Sequence, residues 1–375
     1  MEKFMEEFAG PGSKKALPAI VENKAPVAGE LFSFAAMFQH RQGNTVTACS
    51  ATSDPDTMYY HQAMKEPDSQ DFIQAVKKEF GDLLANEVFH FVRRSSVPKD
   101  LSIFPAVWAM KRKRRVKTRE IYKWKARLNL NGSKQVAGRD YGQTYAPVAS
   151  WESIRLLLAM VLKNKWKTRQ IDYVLAFPQA PVDRECYMDI SKGITAKNKG
   201  DFVLKVEKNI YGRKQAGRVW SLHLTRKLVD VVGFTQSEHD ECIFYKGNVV
   251  YVLYTDDSIL AGPDDKELDD IVQQISDAGL DITQEEGGIE DFLGVNIERT
   301  GNDQYHLSQP HLIDQILKDV RLLGEDVDIK ETPSNSSKVL GSHPESSPFD
   351  GHFNFRSVIG NLNYLDITTR PDQSL

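Results

Sequence analysis

The most regular pattern of apolar and polar positions is Val249-Val250-Tyr251-Val252-Leu253-Tyr254-Thr255-Asp256-Asp257-Ser258-Ile259-Leu260-Ala261-Gly262. Val250, Val252 and Tyr254 alternate with Tyr251 and Leu253, which predicts a buried strand. Ser258 to Ala261 predicts the returning strand. Both aspartates then fall at a tight hairpin tip, where Asp is a favoured turn residue. Helical spacing recurs elsewhere. Phe72, Val76, Phe80 and Leu83 predict a helix from Ser69 to Asn86, and Ile154, Leu157, Leu158, Val161 and Leu162 predict one from Ser150 to Asn164. Further helices are predicted up to about Val232 after Ile210, over Asp264 to Ala278, Pro310 to Val320 and Phe355 to Asp366. Shorter strands are predicted at Pro105 to Met110, Ile121 to Leu130, Thr168 to Val174, Phe202 to Val206 and Cys242 to Lys246. A hairpin joins Phe292 to Arg299 with Tyr305 to Ser308.

Residues 1–55 show little periodicity and predict a poorly ordered linker or tail. Phe32 to Phe38 is an apolar island without an assignment. Ser334 to Pro348 is rich in Ser, Pro and Gly and predicts a second linker.

Composition adds limits. Of 375 residues, 41% are hydrophobic and 27% charged, as in an ordinary globular protein with room for two or three sub-domains. No apolar run approaches a membrane span, and no signal-peptide pattern opens the chain. Cys49, Cys186 and Cys242 have no CxxC spacing, which argues against structural zinc and for a reducing compartment.

The net charge of -4 conceals an uneven placement. Ten basic residues and one acid lie between Lys111 and Arg127. Strand alternation puts Tyr122, Trp124, Ala126, Leu128 and Leu130 on one face and Lys123, Lys125 and Arg127 on the other. A solvated charged face accounts for such a run. Yet three cations on one face also repel unless an anion lies over them, and phosphate fits.

Three acids carry candidate chemistry. Asp172 lies within the otherwise apolar Ile171 to Phe177 stretch, and Asp256 with Asp257 lies on the hairpin. Each has a bland reading, a satisfied strand-end acid and a solvated turn. Together they suit two hard cations about 3.5–4 Å apart, one at a 3′-hydroxyl and one at a triphosphate. Phe177, five residues after Asp172, is a candidate barrier to a 2′-hydroxyl.

These segments resemble the reverse transcriptase of copia-type LTR retrotransposon polyproteins, from about Asp68 to Asp372. Tyr122 to Leu128 is similar to the family's YKARL strand, Asp140 to Val148 to its DY-x-T-x-APV stretch, and Gln170 to Phe177 to QxDVxxAF. Tyr187-Met188 is similar to its YM segment, Tyr211 to Ala216 with Trp220 to YGLKQA…W, and Tyr254 to Asp257 to YVDD. Phe292-Leu293-Gly294 is similar to its FLG segment, and Leu307-Ser308-Gln309 and Phe355 to Asp372 to later stretches.

The resemblance implies an α+β right-hand polymerase with fingers, and an antiparallel palm sheet flanked by helices. It implies a reverse transcriptase unit over 56–333, with fingers mainly at 100–150 and palm at 151–290. Residues 334–375 would be a linker and the start of a connection region without RNase H, making the chain a polyprotein fragment or truncated copy.

It also implies two Mg²⁺ ions, with Mn²⁺ as the alternative, on Asp172, Asp256 and Asp257. Lys125, Arg127, Phe177 and Gln215 would meet the nucleotide. Lys111, Arg112, Lys113, Arg114 and Arg115 would meet the template, and Phe292, Leu293 and Gly294 the primer. The implied partners are an RNA template, a DNA primer or RNA–DNA hybrid, dNTPs and other segments of the polyprotein, with no membrane. The implied place is the cytoplasmic particle of such an element, with nuclear passage left open. A catalytically inactive nucleic-acid-binding remnant is the alternative. A two-metal nuclease lacks its usual additional Glu/His cluster.

Overall fold

The computed structural model describes residues 56–115, 118, 120–194, 199–285, 289–301, 304–323, 351 and 353–371. The predicted linkers at 1–55 and Ser334 to Pro348, and the apolar island from Phe32, lie outside these residues.

In chain order the elements begin with β1 (Thr57–Tyr59), α1 (Tyr60–Ala63), α2 (Ser69–Ala85), β2 (Phe89–Arg93), β3 (Ile103–Phe104), β4 (Ala106–Arg114) and β5 (Ile121–Leu130). Then come α3 (Trp151–Asn164), β6 (Lys167–Tyr173), α4 (Ala176–Gln179), β7 (Pro181–Met188), β8 (Phe202–Lys208) and α5 (Ala216–Arg226). Strands β9 (Thr235–Gln236), β10 (Ile243–Lys246), β11 (Val249–Tyr254) and β12 (Asp257–Gly262) follow, then α6 (Asp265–Asp277). The last elements are β13 (Ile282–Glu285), β14 (Asp291–Phe292), β15 (Val295–Arg299), β16 (Tyr305–Ser308), α7 (Pro310–Asp319) and α8 (Phe355–Thr368).

Strands β1, β4 and β5 form a three-stranded sheet where the fingers are expected, and β2, β8, β7 and β3 form a four-stranded sheet beside it. The sheet where the palm is expected runs β13-β6-β12-β11-β10-β9, all antiparallel. A small sheet, β14-β15-β16, follows. Two main cores result. One lies between the palm sheet and helices α3, α5 and α6, around Ile154, Trp220, Tyr251 and Leu268. The other lies between α2 and the fingers strands, around Phe72, Leu83, Met110 and Leu128.

The helices follow the predicted stripes, and their ends have local causes. Ser150 caps α3 by accepting from Ser153 N, and Asp264 caps α6 by accepting from Glu267 N. After α5 the backbone continues as a π-helix through Val232, and Gly233 closes it at φ 84°. Two predicted boundaries move. β4 runs on through Arg114, so the basic stretch is largely strand. Asp257 is not at the hairpin tip: it opens β12 and pairs with Tyr254, leaving Thr255 and Asp256 as the turn.

Candidate active site

The palm register brings the acids together. Asp257 pairs with Tyr254 on one side and Asp172 on the other, and Asp172 pairs in turn with Thr283. Opposed residues share a face, so Asp172 and Asp257 project side by side from neighbouring strands. Ile171, Tyr173 and Ser258 project from the opposite face into the core. Asp256 stands at the adjoining tip. Burial, and then the charge of Asp256, raises the Asp172 carboxyl above its usual range, although Asp172 keeps an accessible surface. The charges of Lys125, Lys113 and Arg127 oppose that rise.

Among the described residues, no three acid, imidazole or thiol groups stand close enough to enclose an ion. Hard oxygen donors and an unfavourably raised carboxyl nonetheless suit Mg²⁺. That ion is commonly held by one or two carboxylates, with substrate phosphates and water completing its shell.

The hairpin tip is under conformational strain. Thr255 adopts φ 59°, a region that β-branched residues rarely enter. Its carbonyl accepts from the indole Nε1 of buried Trp220 at 2.6 Å. Trp220 meets Tyr173 edge-on with ring centroids 5.2 Å apart, and the Tyr173 and Tyr251 hydroxyls lie 2.7 Å apart beneath. The sequence singled out Trp220 as the tryptophan of the YGLKQA…W stretch, without a role at the hairpin tip. Its indole N–H was the available signal, since a buried indole N–H needs an acceptor.

The basic run does not form one surface. In the register, Lys111 opposes Lys125 and Lys113 opposes Lys123, so these lysines share the face of Arg127. Arg112 and Arg114, expected at the template, point the other way and are held in ion pairs. Arg112 binds Asp68 at 2.6 and 2.7 Å and Glu66 at 2.9 Å, and lies over the Phe72 ring. The Arg112 guanidinium and the Trp124 N–H hold the Asp68 carboxyl down to about 2. Arg114 binds Asp56 at 2.6 Å. Exposed Arg115 lies 5.7 Å from the Tyr122 ring.

Burial, with Arg127 and Lys113 adding repulsion, pushes the Lys125 ammonium down to about 8. Glu79 of α2 accepts from Leu128 N at 3.3 Å and faces Lys125 and Arg127, while burial raises its own carboxyl. Its sequence signal was an acid on an apolar helix stripe.

Two further expectations change. Gln215 is fully buried: its amide accepts from Gln135 and donates to Asp140 O, each at 3.2 Å, so it faces no open surface here. Phe177 is 4% exposed and stacks on Tyr211 with centroids 4.9 Å apart. The Tyr211 ring in turn lies 4.1 Å under the Arg127 guanidinium. Phe177 therefore borders the cleft through Tyr211 rather than lying open to it.

Phe292 is buried and pairs with Val295, leaving Leu293 and Gly294 as a turn with φ 54° and 75°. A separate groove, lined by Lys167, Arg169, Asp265, Asp269 and Glu298, lies at the other end of β6. It extends along β6 as far as Gln284, which pairs with Ile171 beside Asp172.

Acids on adjoining palm strands that feel the charges of a cationic hairpin form the kind of arrangement that phosphoryl transfer requires. The family described as reverse transcriptase (RNA-dependent DNA polymerase) matches residues 86–334. The chain belongs to that family of RNA-directed DNA polymerases.

Among its relatives, the retrovirus-related Pol polyprotein from transposon RE2 of Arabidopsis thaliana is 31% identical over 88% of this chain and 22% of that polyprotein. The corresponding polyprotein from transposon TNT 1-94 of Nicotiana tabacum is 25% identical over 83% of this chain and 24% of its own length. The chain thus spans about a quarter or less of these relatives. Among solved structures, a foamy viral protease–reverse transcriptase in complex with double-stranded DNA aligns at TM-score 0.38 and 16% identity, over 65% of this chain and 36% of that one. Among the described residues, no helix is long and apolar enough to cross a membrane.

Proposed function

We propose that this chain extends a primer 3′-hydroxyl with deoxynucleotides on an RNA or DNA template, as the polymerase segment of a copia-type retrotransposon polyprotein. The observation that carries this reading is the register pairing of Asp172 with Asp257 on neighbouring strands, where the Asp172 carboxyl feels the charges of Lys113, Lys125 and Arg127. Asp172, Asp256 and Asp257 would hold two Mg²⁺ ions, or Mn²⁺ in their place. Bound there, such ions activate the hydroxyl and neutralise charge on the triphosphate.

The chain's own residues do the rest. Lys125 and Arg127, joined by Lys113, bind the outer phosphates and align the nucleotide. Phe177, acting through the Tyr211 ring it packs against, closes the floor against a 2′-hydroxyl. Leu293 and Gly294 set the primer end. Exposed Lys111 and Arg115 hold the template backbone. The RNA–DNA hybrid and the remaining polyprotein segments are the partners, within the cytoplasmic particle of the element.

Primer extension by the purified chain on an RNA template tests this. Wild-type extension with Asp256→Asn silent supports it. Duplex binding without extension under Mg²⁺ or Mn²⁺ favours the inactive remnant.

A further inference from the structure

The two hairpin tips beside the site share a device. Each carries a side-chain-bearing residue at positive φ, Thr255 at 59° and Leu293 at 54°. In each, that residue's own carbonyl accepts from an aromatic donor on a helix. Trp220 Nε1 donates to Thr255 O, and the Tyr364 hydroxyl donates to Leu293 O, both at 2.6 Å. Tyr364 lies on α8, beyond the matched residues 86–334.

α8 is anchored independently of that bond. Arg155 of α3 donates to the carbonyls of Ile367 and Thr368 at the helix end. The Thr368 and Thr369 hydroxyls both donate to the Gln309 amide oxygen ahead of α7. Val358 and Leu365 pack with Ile316 in a third, small core. Burial, and then Tyr254, raise the Tyr364 phenol above its usual range. One hydroxyl on a braced helix thus meets the Leu293-Gly294 turn.

We propose that Tyr364 is a positioning residue for the primer 3′ end, and that α8 is a working part of the polymerase. This rests on the primer role assigned above to Leu293 and Gly294. A turn holding Leu in the left-handed region relaxes unless its surroundings fix it. The Tyr364 bond fixes the carbonyl, and so the direction in which the turn faces the primer. A ring serving only the small core would not need its hydroxyl.

Tyr364→Phe removes that hydroxyl and keeps the ring. The test uses the full chain and a primer–template with 2-aminopurine at the primer 3′ end, whose fluorescence reports stacking without catalysis. The variant is expected to bind duplex as the wild type does while the terminal fluorescence shifts toward that of a free end. Its kcat should fall about ten- to a hundredfold with nucleotide KM unchanged, the scale of a small misplacement of reacting groups.

Adding Leu293→Gly, which accepts positive φ without strain, should restore part of the loss. Should Tyr364→Phe not fold, Arg155→Lys loosens the far end of α8 without touching the turn and should move the terminus the same way. Wild-type fluorescence and kcat in a folded variant overturn the proposal and leave the polymerase reading standing. A lowered Tm with the terminus unmoved assigns Tyr364 to the core and also overturns it. Failure of the wild-type chain to bind duplex overturns both.

Discussion

Trp220 decides how a strained residue can sit at a functional tip. A positive φ at Thr255 is unfavourable for a β-branched side chain, and the indole bond holds its carbonyl in place. Trp220→Phe keeps an aromatic ring but leaves that carbonyl without its donor, at about 1–3 kcal/mol. The expected result is a moderately lowered Tm and a larger fall in kcat than in nucleotide affinity. An unchanged kcat in a destabilised protein would confine Trp220 to packing. Asp172 behaves in the opposite sense. Its carboxyl is raised in the fold, so its ionisation costs stability once the pH passes the ordinary carboxylate range. Asp172→Asn removes that cost at neutral pH. The variant should lose extension with Tm held or slightly increased, and a clear loss of Tm would mean that the carboxylate supports the fold instead.

At the scale of elements, the β4–β5 hairpin separates its cations by alternation. Lys125 has its ammonium pushed down to about 8, so it is charged below that pH and loses its proton above it. Nucleotide KM should therefore rise between about pH 7 and 9, and Lys125→Arg, charged throughout, should flatten the profile. A profile that stays steep in the Arg variant would assign the titration elsewhere. Much of this hairpin was legible, because period two alone places Lys123, Lys125 and Arg127 opposite Ala126, Leu128 and Leu130. The ion pairs of Arg112 and Arg114 were not, because Asp68 and Asp56 stand 44 and 58 residues away in sequence. The burial of Gln215 was not legible for a related reason: an amide is buried only where partners as distant as Gln135 converge on it. β7 and β13 escaped notice because Asp183, Arg184 and Glu185, and then Gln284 and Glu285, interrupt the apolar alternation. The Asp256–Asp257 hairpin was legible except for its exact turn, since a one-residue shift of Asp257 from tip to strand leaves the apolar pattern unchanged.

In the whole molecule, the fingers and palm cores meet at one seam. Leu130 N donates to Tyr211 O at 2.9 Å, and a Cβ on Gly212 would stand 2.2 Å from Leu130 O. Phe177, Tyr211 and Arg127 stack across it. Phe177→Val should loosen this stack and cost about 2–4 kcal/mol. If the ring also guards the sugar, ribonucleotide incorporation rises in the surviving protein, measured beside deoxynucleotide incorporation in single turnovers. Intact sugar selectivity would leave Phe177 a core residue.

The same architecture gives a net-negative chain a local cationic face. Association with nucleic acid should therefore depend on that face and not on total charge, with log K falling about 0.9 per log unit of salt for each phosphate engaged. Lys111 and Arg115 are exposed, whereas Arg112 serves Asp68 and Glu66. Replacing Lys111 and Arg115 together by Ala should reduce the salt slope for duplex binding by about two, with Tm unchanged. Arg112→Ala should do the reverse: it leaves Asp68 without its main partner, lowers Tm, and keeps the slope of the wild type. A reduced slope in a stable Arg112→Ala variant would mean that Arg112 leaves its ion pair to bind phosphate, and the division of the basic run into two faces would fail.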